Sequence, residues 1–179
     1  IIQETLLPKH LPDIAGYALS AYWQPAQAVG GDFYDFIQLE DGKLAIIIGD
    51  VTDKGVPAAL VMSTTRTVLR TSAERFKTPG AVLERANEVL CPDIPPKMFI
   101  TVLYAVLDPA TGVIRYANAG HDLPYMRRSS PTAGIHSGGG AHSSGAATRA
   151  VVEEMRATGM PLGLLPGMRY EEKEIVIRP

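Results

Sequence analysis

The chain has 179 residues, 46% hydrophobic and 20% charged, with seventeen basic against nineteen acidic side chains for a net charge of -2. That length suits one domain with a substantial core, and no Lys/Arg run or basic amphipathic stretch marks a nucleic-acid or membrane surface. The single cysteine, Cys91, excludes an internal disulfide framework and fits a reducing compartment; no apolar run approaches the roughly 18 residues of a membrane span, and the start lacks a signal pattern, so a soluble cytoplasmic protein is expected.

Residues 1–14 begin like the end of an amphipathic helix broken at Pro8 and Pro12, as in a linker between domains. Residues 15–179 then form the expected domain. Tyr17 to Trp23 alternates like a strand. Asp32 to Leu39 and Lys43 to Gly49 read as a hairpin around Asp41-Gly42, and Ile46-Ile47-Ile48 predicts a strand buried on both faces. Pro57 opens a long helix to about Phe76, with one stripe of Leu60, Thr64, Val68 and Ser72 and another of Val61, Thr65 and Leu69 beside it. Thr78 as N-cap and Pro79 at N1 start a second helix through Val82, Leu83, Ala86 and Leu90. Met98 to Leu107, the turn Asp108-Pro109-Ala110-Thr111-Gly112 and Val113 to Ala119 read as a second hairpin. Residues 127–149, rich in Ser, Gly, Ala and His, read as a flexible loop. Tyr170 to Ile177 is a last strand. Strands, two helices and more strands make an α+β pattern.

The chemistry concentrates in two glycine-aspartate corners, Gly30-Gly31-Asp32-Phe33-Tyr34-Asp35 and Gly49-Asp50-Val51-Thr52-Asp53-Lys54-Gly55. Acids at the ends of hairpin strands can lie side by side, and close carboxylates repel unless a proton or cation sits between them. Oxygen ligands suit magnesium or manganese. Asp32 and Asp35, three apart on a strand, face opposite sides. Asp32 is the one expected to face Asp50, because Gly30 and Gly31 permit close backbone approach; Asp35 is then a supporting or surface acid. Spacing alone leaves open a plain turn role for Asp32 and a strand-ending role for Asp50.

Other candidates are weaker. Asp53 fits a charge near a helix N-terminus, and Lys54 lies in no GxxxxGK[ST] loop. His121 could shuttle a proton or shape the turn that follows Asn118. His136 and His142 lack rigid neighbours, and Cys91 lacks a nucleophile signature. No G-x-S-x-G, HExxH or CxxC occurs.

The segments PAQAVGGDFYDF (25–36), IIIGDVTDKGVPAALVMS (46–63), FITVLYAVLDPATGVIRYANAGHDLP (99–124) and GMPLGLLPGMRYEE (159–172) together resemble the SpoIIE-type metal-dependent serine/threonine phosphatases of the PPM, or type 2C, superfamily. The resemblance covers nearly the whole chain outside residues 127–149. It implies an α-β-β-α sandwich of two mainly antiparallel sheets flanked by helices. It also implies two Mn²⁺ or Mg²⁺ ions, with Asp50 as the bridging carboxylate, Asp32 as a second acid, and the Val51 carbonyl as a further ligand. The implied activity is hydrolysis of phosphoserine or phosphothreonine on an anti-anti-sigma-type regulator, downstream of a sensor domain.

The family uses two later aspartates, and this sequence ends at Pro179 before either. The expectation is therefore an incomplete domain, nearly inactive alone and prone to pair with a second copy through open sheet edges. One alternative is a phosphatase-like binding module. Another is a GGDEF-type nucleotide cyclase, which Gly30-Gly31-Asp32 suggests; Phe33 and Tyr34 stand where that type has acid and Phe, and only one strand precedes the motif.

Overall fold

A computed structural model describes residues 3–25, 28–131 and 148–177. After a short 3-10 turn at Gln3–Thr5 come β1 (Phe33–Gln38), β2 (Leu44–Val51), α1 (Val56–Arg75), α2 (Pro79–Leu90), β3 (Ile100–Asp108), β4 (Val113–Ala119), β5 (Tyr125–Pro131), β6 (Thr148–Glu154) and β7 (Glu172–Val176). The α+β class read from the element order is the class observed. The sheets are antiparallel: five strands in the order β1-β2-β3-β4-β7, and β5 with β6. The chain divides into two units, Leu123–Arg156 and the remainder; β5 and β6 form the first, and all other named elements the second.

Strand parity explains the core. Ala45, Ile47 and Val51 of β2 alternate with Ile46, Ile48 and Asp50, so successive side chains leave opposite faces of the sheet. The first set packs with Ile100, Val102 and Tyr104 of β3 against Met62 and Leu69 of α1 and Val82, Leu83 and Leu90 of α2. Removing this apolar surface from water is the main stabilisation of the fold. On the other face Leu103 and Leu107 are buried, while Ile48 is 42% exposed.

Thr78 accepts a hydrogen bond from the Ala81 amide and Pro79 follows, so α2 starts at its expected cap. For α1 the length was right and the face partly so: Thr65, Leu69 and Ser72 of the expected stripes are buried, while Leu60 is not. Its buried side is Ala58, Met62, Thr65, Leu69, Ser72 and Ala73, and Leu60 is 66% exposed. Thr65 turns its hydroxyl back to the Val61 carbonyl at 2.8 Å, which lets a polar residue sit inside.

Three other expectations are corrected. Tyr17 to Trp23 forms no ladder; a single bridge joins Ile14 to Tyr17 and the rest runs free of strand pairing. No described strand pairs with it, although β1 and β7 each keep one edge open, and a strand exists only through a partner. Residues 127–131 and 148–149, expected to be loop, belong to β5 and β6; the middle of that segment, with Ile135, His136 and His142, lies outside the described residues. Near the start, the helical part among the described residues is one 3-10 turn, Gln3–Thr5.

Asp35 is neither a surface acid nor a neighbour of Asp50. It is fully buried on the helix side of β1. Arg70 grips it with Nε to Oδ2 at 2.5 Å and Nη2 to Oδ1 at 2.7 Å, and Arg66 donates through Nη2 at 3.2 Å. The inward acid thus becomes an electrostatic pin between β1 and α1.

Candidate functional site

The β1–β2 register pairs Phe33 with Gly49. One step further along the same antiparallel register sets Asp32 opposite Asp50, both exposed and on the sheet face away from the helices. The backbone before Asp32 is held on two sides. The Gln3 side chain brackets Gly30, donating to its carbonyl at 2.6 Å and accepting from its amide at 2.9 Å. Trp23 Nε1 donates to the Asp32 carbonyl at 2.9 Å. Gly31 is required by close approach: a Cβ there would stand 2.3 Å from the Val51 carbonyl oxygen. That contact brings the Val51 carbonyl beside the residue preceding Asp32.

On the far side of β2, Thr101 pairs with Asp50 in the ladder. Its hydroxyl lies 2.9 Å from His121 Nδ1 and 3.4 Å from the Asp50 carbonyl. Asn118, 2% exposed, clamps the main chain of His121. It accepts from the His121 amide at 2.7 Å and donates to its carbonyl at 3.0 Å. Gly120 between them has φ +68, a left-handed turn that suits glycine.

The electrostatics follow from this crowding. Partial burial, then the charge of Asp32 and a proton the two can share, then the charge of Asp122, push the Asp50 carboxyl up to about 6. Burial lowers His121 against the opposing pull of Asp122 and Asp32. A hard divalent cation would relieve the repulsion among these acids, and an oxygen-only set of Asp32, Asp50 and the Val51 carbonyl has the right chemistry for one. Among the described residues, no three acids, histidines or cysteines gather closely enough to make a complete metal cage.

The family model for stage II sporulation protein E (SpoIIE) matches residues 40–179. The chain belongs to the SpoIIE family. Protein IcfG of Synechocystis is 30% identical over 99% of this chain and 29% of its own length. Phosphoserine phosphatase RsbU of Bacillus subtilis is 34% identical over 68% of this chain and 36% of its own length. The chain thus spans about a third of these curated relatives. Among solved structures, the RsbU and RsbW domains of Rv1364c from Mycobacterium tuberculosis share 27% identity at a TM-score of 0.62, over 86% of this chain and 37% of that one. The SiaA-PP2C domain of Pseudomonas aeruginosa matches in fold, with a TM-score of 0.66 at 18% identity, over 88% of this chain and 55% of that one.

Within this SpoIIE-family domain the two principal candidates, Asp32 and Asp50, stand together, and Asp35 stands apart. The matched residues include Asp50, Val51 and His121 and begin after Asp32. Asp53 has φ 74, in the loop between β2 and α1. Cys91 caps α2 and approaches the Gly163 carbonyl at 3.8 Å, a structural position. Sequence reasoning missed Gln3, Thr101, Asn118 and Asp122. Asp122 had a signal, since it follows His121 in the same strand-ending motif. Thr101 had none, because its nearness to Asp50 exists only through the β2–β3 register.

Proposed function

We propose that this SpoIIE-family domain hydrolyses phosphoserine or phosphothreonine on a protein partner with the help of Mn²⁺ or Mg²⁺. The observation that carries the reading is the facing pair Asp32 and Asp50 on the open end of the β1–β2 hairpin, together with the partial burial and the Asp32 charge that raise Asp50. Asp32, Asp50 and the Val51 carbonyl would hold the cation. When bound, such a cation polarises a phosphoryl oxygen and acidifies water for in-line attack. The Trp23 and Gln3 contacts hold the backbone of Asp32 and of Gly30, which sets the Asp32 position beside Asp50. The phosphoserine phosphatase RsbU among the relatives supports phosphoserine as the substrate group, and an anti-anti-sigma-type regulator is the partner that the resemblance implies.

The test is Asp50→Asn, which removes the charge and nearly keeps the shape. Manganese-dependent hydrolysis of p-nitrophenyl phosphate and of a phosphoserine peptide should fall at least about a hundredfold, the scale set by losing one preorganised electrostatic group. The thermal melt should stay within a few degrees of the unaltered protein. Turnover unaffected by the substitution would remove Asp50 from the mechanism. Manganese binding by the unaltered protein without any turnover would instead identify a phosphatase-like binding module.

A further inference from the structure

Beside the acids lies a cavity of about 520 Å³ whose wall includes Trp23, Asp32, Tyr34, Phe36, Ile48 and His121. None of its lining residues is Lys or Arg. A phosphate monoester is a dianion near neutral pH, and Asp32 and Asp50 repel it unless hydrogen-bond donors or cations compensate. Two neutral donors on the wall are committed elsewhere, Trp23 Nε1 to the Asp32 carbonyl and the Tyr22 hydroxyl to Gln24; Ser20, Gln24 and Tyr34 are neutral as well. His121 is different. Among the described residues it is the only lining side chain able to carry positive charge, and Thr101 occupies Nδ1 alone, leaving Nε2 as the ring atom available to a ligand.

We propose that His121 binds the phosphoryl group of the substrate through Nε2, with Thr101 fixing the ring and Asn118 fixing its backbone. The assignment rests on the phosphatase reading for the identity of the ligand, a phosphate monoester, and on geometry for the residue. The Thr101 hydroxyl has one hydrogen and lies closer to Nδ1 than to the Asp50 carbonyl, 2.9 against 3.4 Å. A hydroxyl that donates to Nδ1 leaves the ring proton on Nε2, and the imidazolium carries one there as well, so both of these forms donate to phosphate; a hydroxyl turned to the Asp50 carbonyl selects the imidazolium as the donor. Because Asn118 clamps the main chain independently of the ring, replacing the imidazole should leave the turn in place. Thr101 then links the phosphate-binding ring to the strand position directly opposite Asp50, bringing anion and cation sites into one row across the sheet.

The experiment is calorimetry of inorganic phosphate, with manganese present, on the unaltered protein, His121→Ala and His121→Gln. His121→Ala should weaken phosphate binding about tenfold or more, the usual consequence of losing a hydrogen bond to a charged group. His121→Gln, whose amide nitrogen reaches about as far as Nε2, should recover most of that loss. Manganese affinity should be equal in all three. Unchanged phosphate affinity in His121→Ala overturns the assignment. So does a parallel fall in phosphate and manganese affinity without rescue by Gln, and so does failure of the unaltered protein to bind phosphate. If His121→Ala does not fold, ring nitrogen resonances of the unaltered protein decide: phosphate must shift those of His121, and unmoved signals overturn the proposal. Hydrolysis of p-nitrophenyl phosphate separates this reading from the previous one. Phosphate held through His121 by a protein without turnover supports the assignment and sinks the phosphatase; turnover with phosphate affinity indifferent to His121 does the reverse.

Discussion

At the residue scale, three positions along β1 separate two carboxylates with opposite duties. Asp32 stands in water beside Asp50, and Asp35 is sealed under α1 between two guanidinium groups. Substituting asparagine for each should therefore produce opposite signatures. Asp35→Asn leaves Arg66 and Arg70 facing a neutral amide; breaking a buried ion pair from one side should cost about 3 kcal/mol of stability. Asp32→Asn relieves repulsion at an exposed site, so the melt should hold or rise slightly while manganese affinity falls. A denaturant titration and a manganese titration of both variants check this, and equal manganese affinities would refute the facing assignment. The alternation of side chains was enough to set these acids on opposite faces before any coordinates, because parity is a property of the strand alone; choosing Asp32 as the one beside Asp50 took the close approach that Gly30 and Gly31 permit. What Asp35 does was not legible. Its partners Arg66 and Arg70 lie on another element, and no local rule says which arginines of a helix will face which strand.

The same boundary between local and non-local information governs the elements. The Asp41-Gly42 turn between two apolar runs, and the Thr78-Pro79 start of α2, are short-range signals, and both features formed as read. The Tyr17 to Trp23 alternation was an equally good local pattern, and it failed for want of a partner strand. In α1 the stripe with Thr65 and Leu69 went inside, joined by Ala58, Met62 and Ala73, and Leu60 of the other stripe stayed out. Close packing of a helix on a sheet favours small side chains at the contact, with Met62 filling what remains. The consequence can be measured. Met62 is fully buried, so Met62→Ala should destabilise by about 3 kcal/mol. Leu60→Ala, at a position 66% exposed, should change stability by no more than about 0.5 kcal/mol. A larger loss at Leu60 than at Met62 would mean that the stripes have been assigned backwards.

For the molecule as a whole, every residue of the main hydrophobic cluster lies outside Leu123–Arg156. The Asp32–Asp50 pair, Thr101 and His121 belong to that same larger unit. The β5–β6 hairpin is closed at its base by the Met155 amide donating to the Pro124 carbonyl at 2.8 Å, so its two ends stand side by side. A short turn can therefore replace the hairpin without stretching the chain on either side. Two ends already adjacent need few residues to join, and a shorter closed loop costs less entropy than a longer one. Exchanging residues 125–154 for a two- or three-residue Gly-Ser turn should shift the melting temperature by less than about 4 °C, equivalent to about 1 kcal/mol in a chain of this size. Manganese affinity should be unchanged, since none of Asp32, Asp50 and Val51 is touched. A cooperative melt at nearly the original temperature would establish that the larger unit holds its own core. Loss of the cooperative transition would show that β5 and β6 supply contacts the five-stranded unit needs, whereas a normal melt with weakened manganese binding would place part of the metal site on the hairpin.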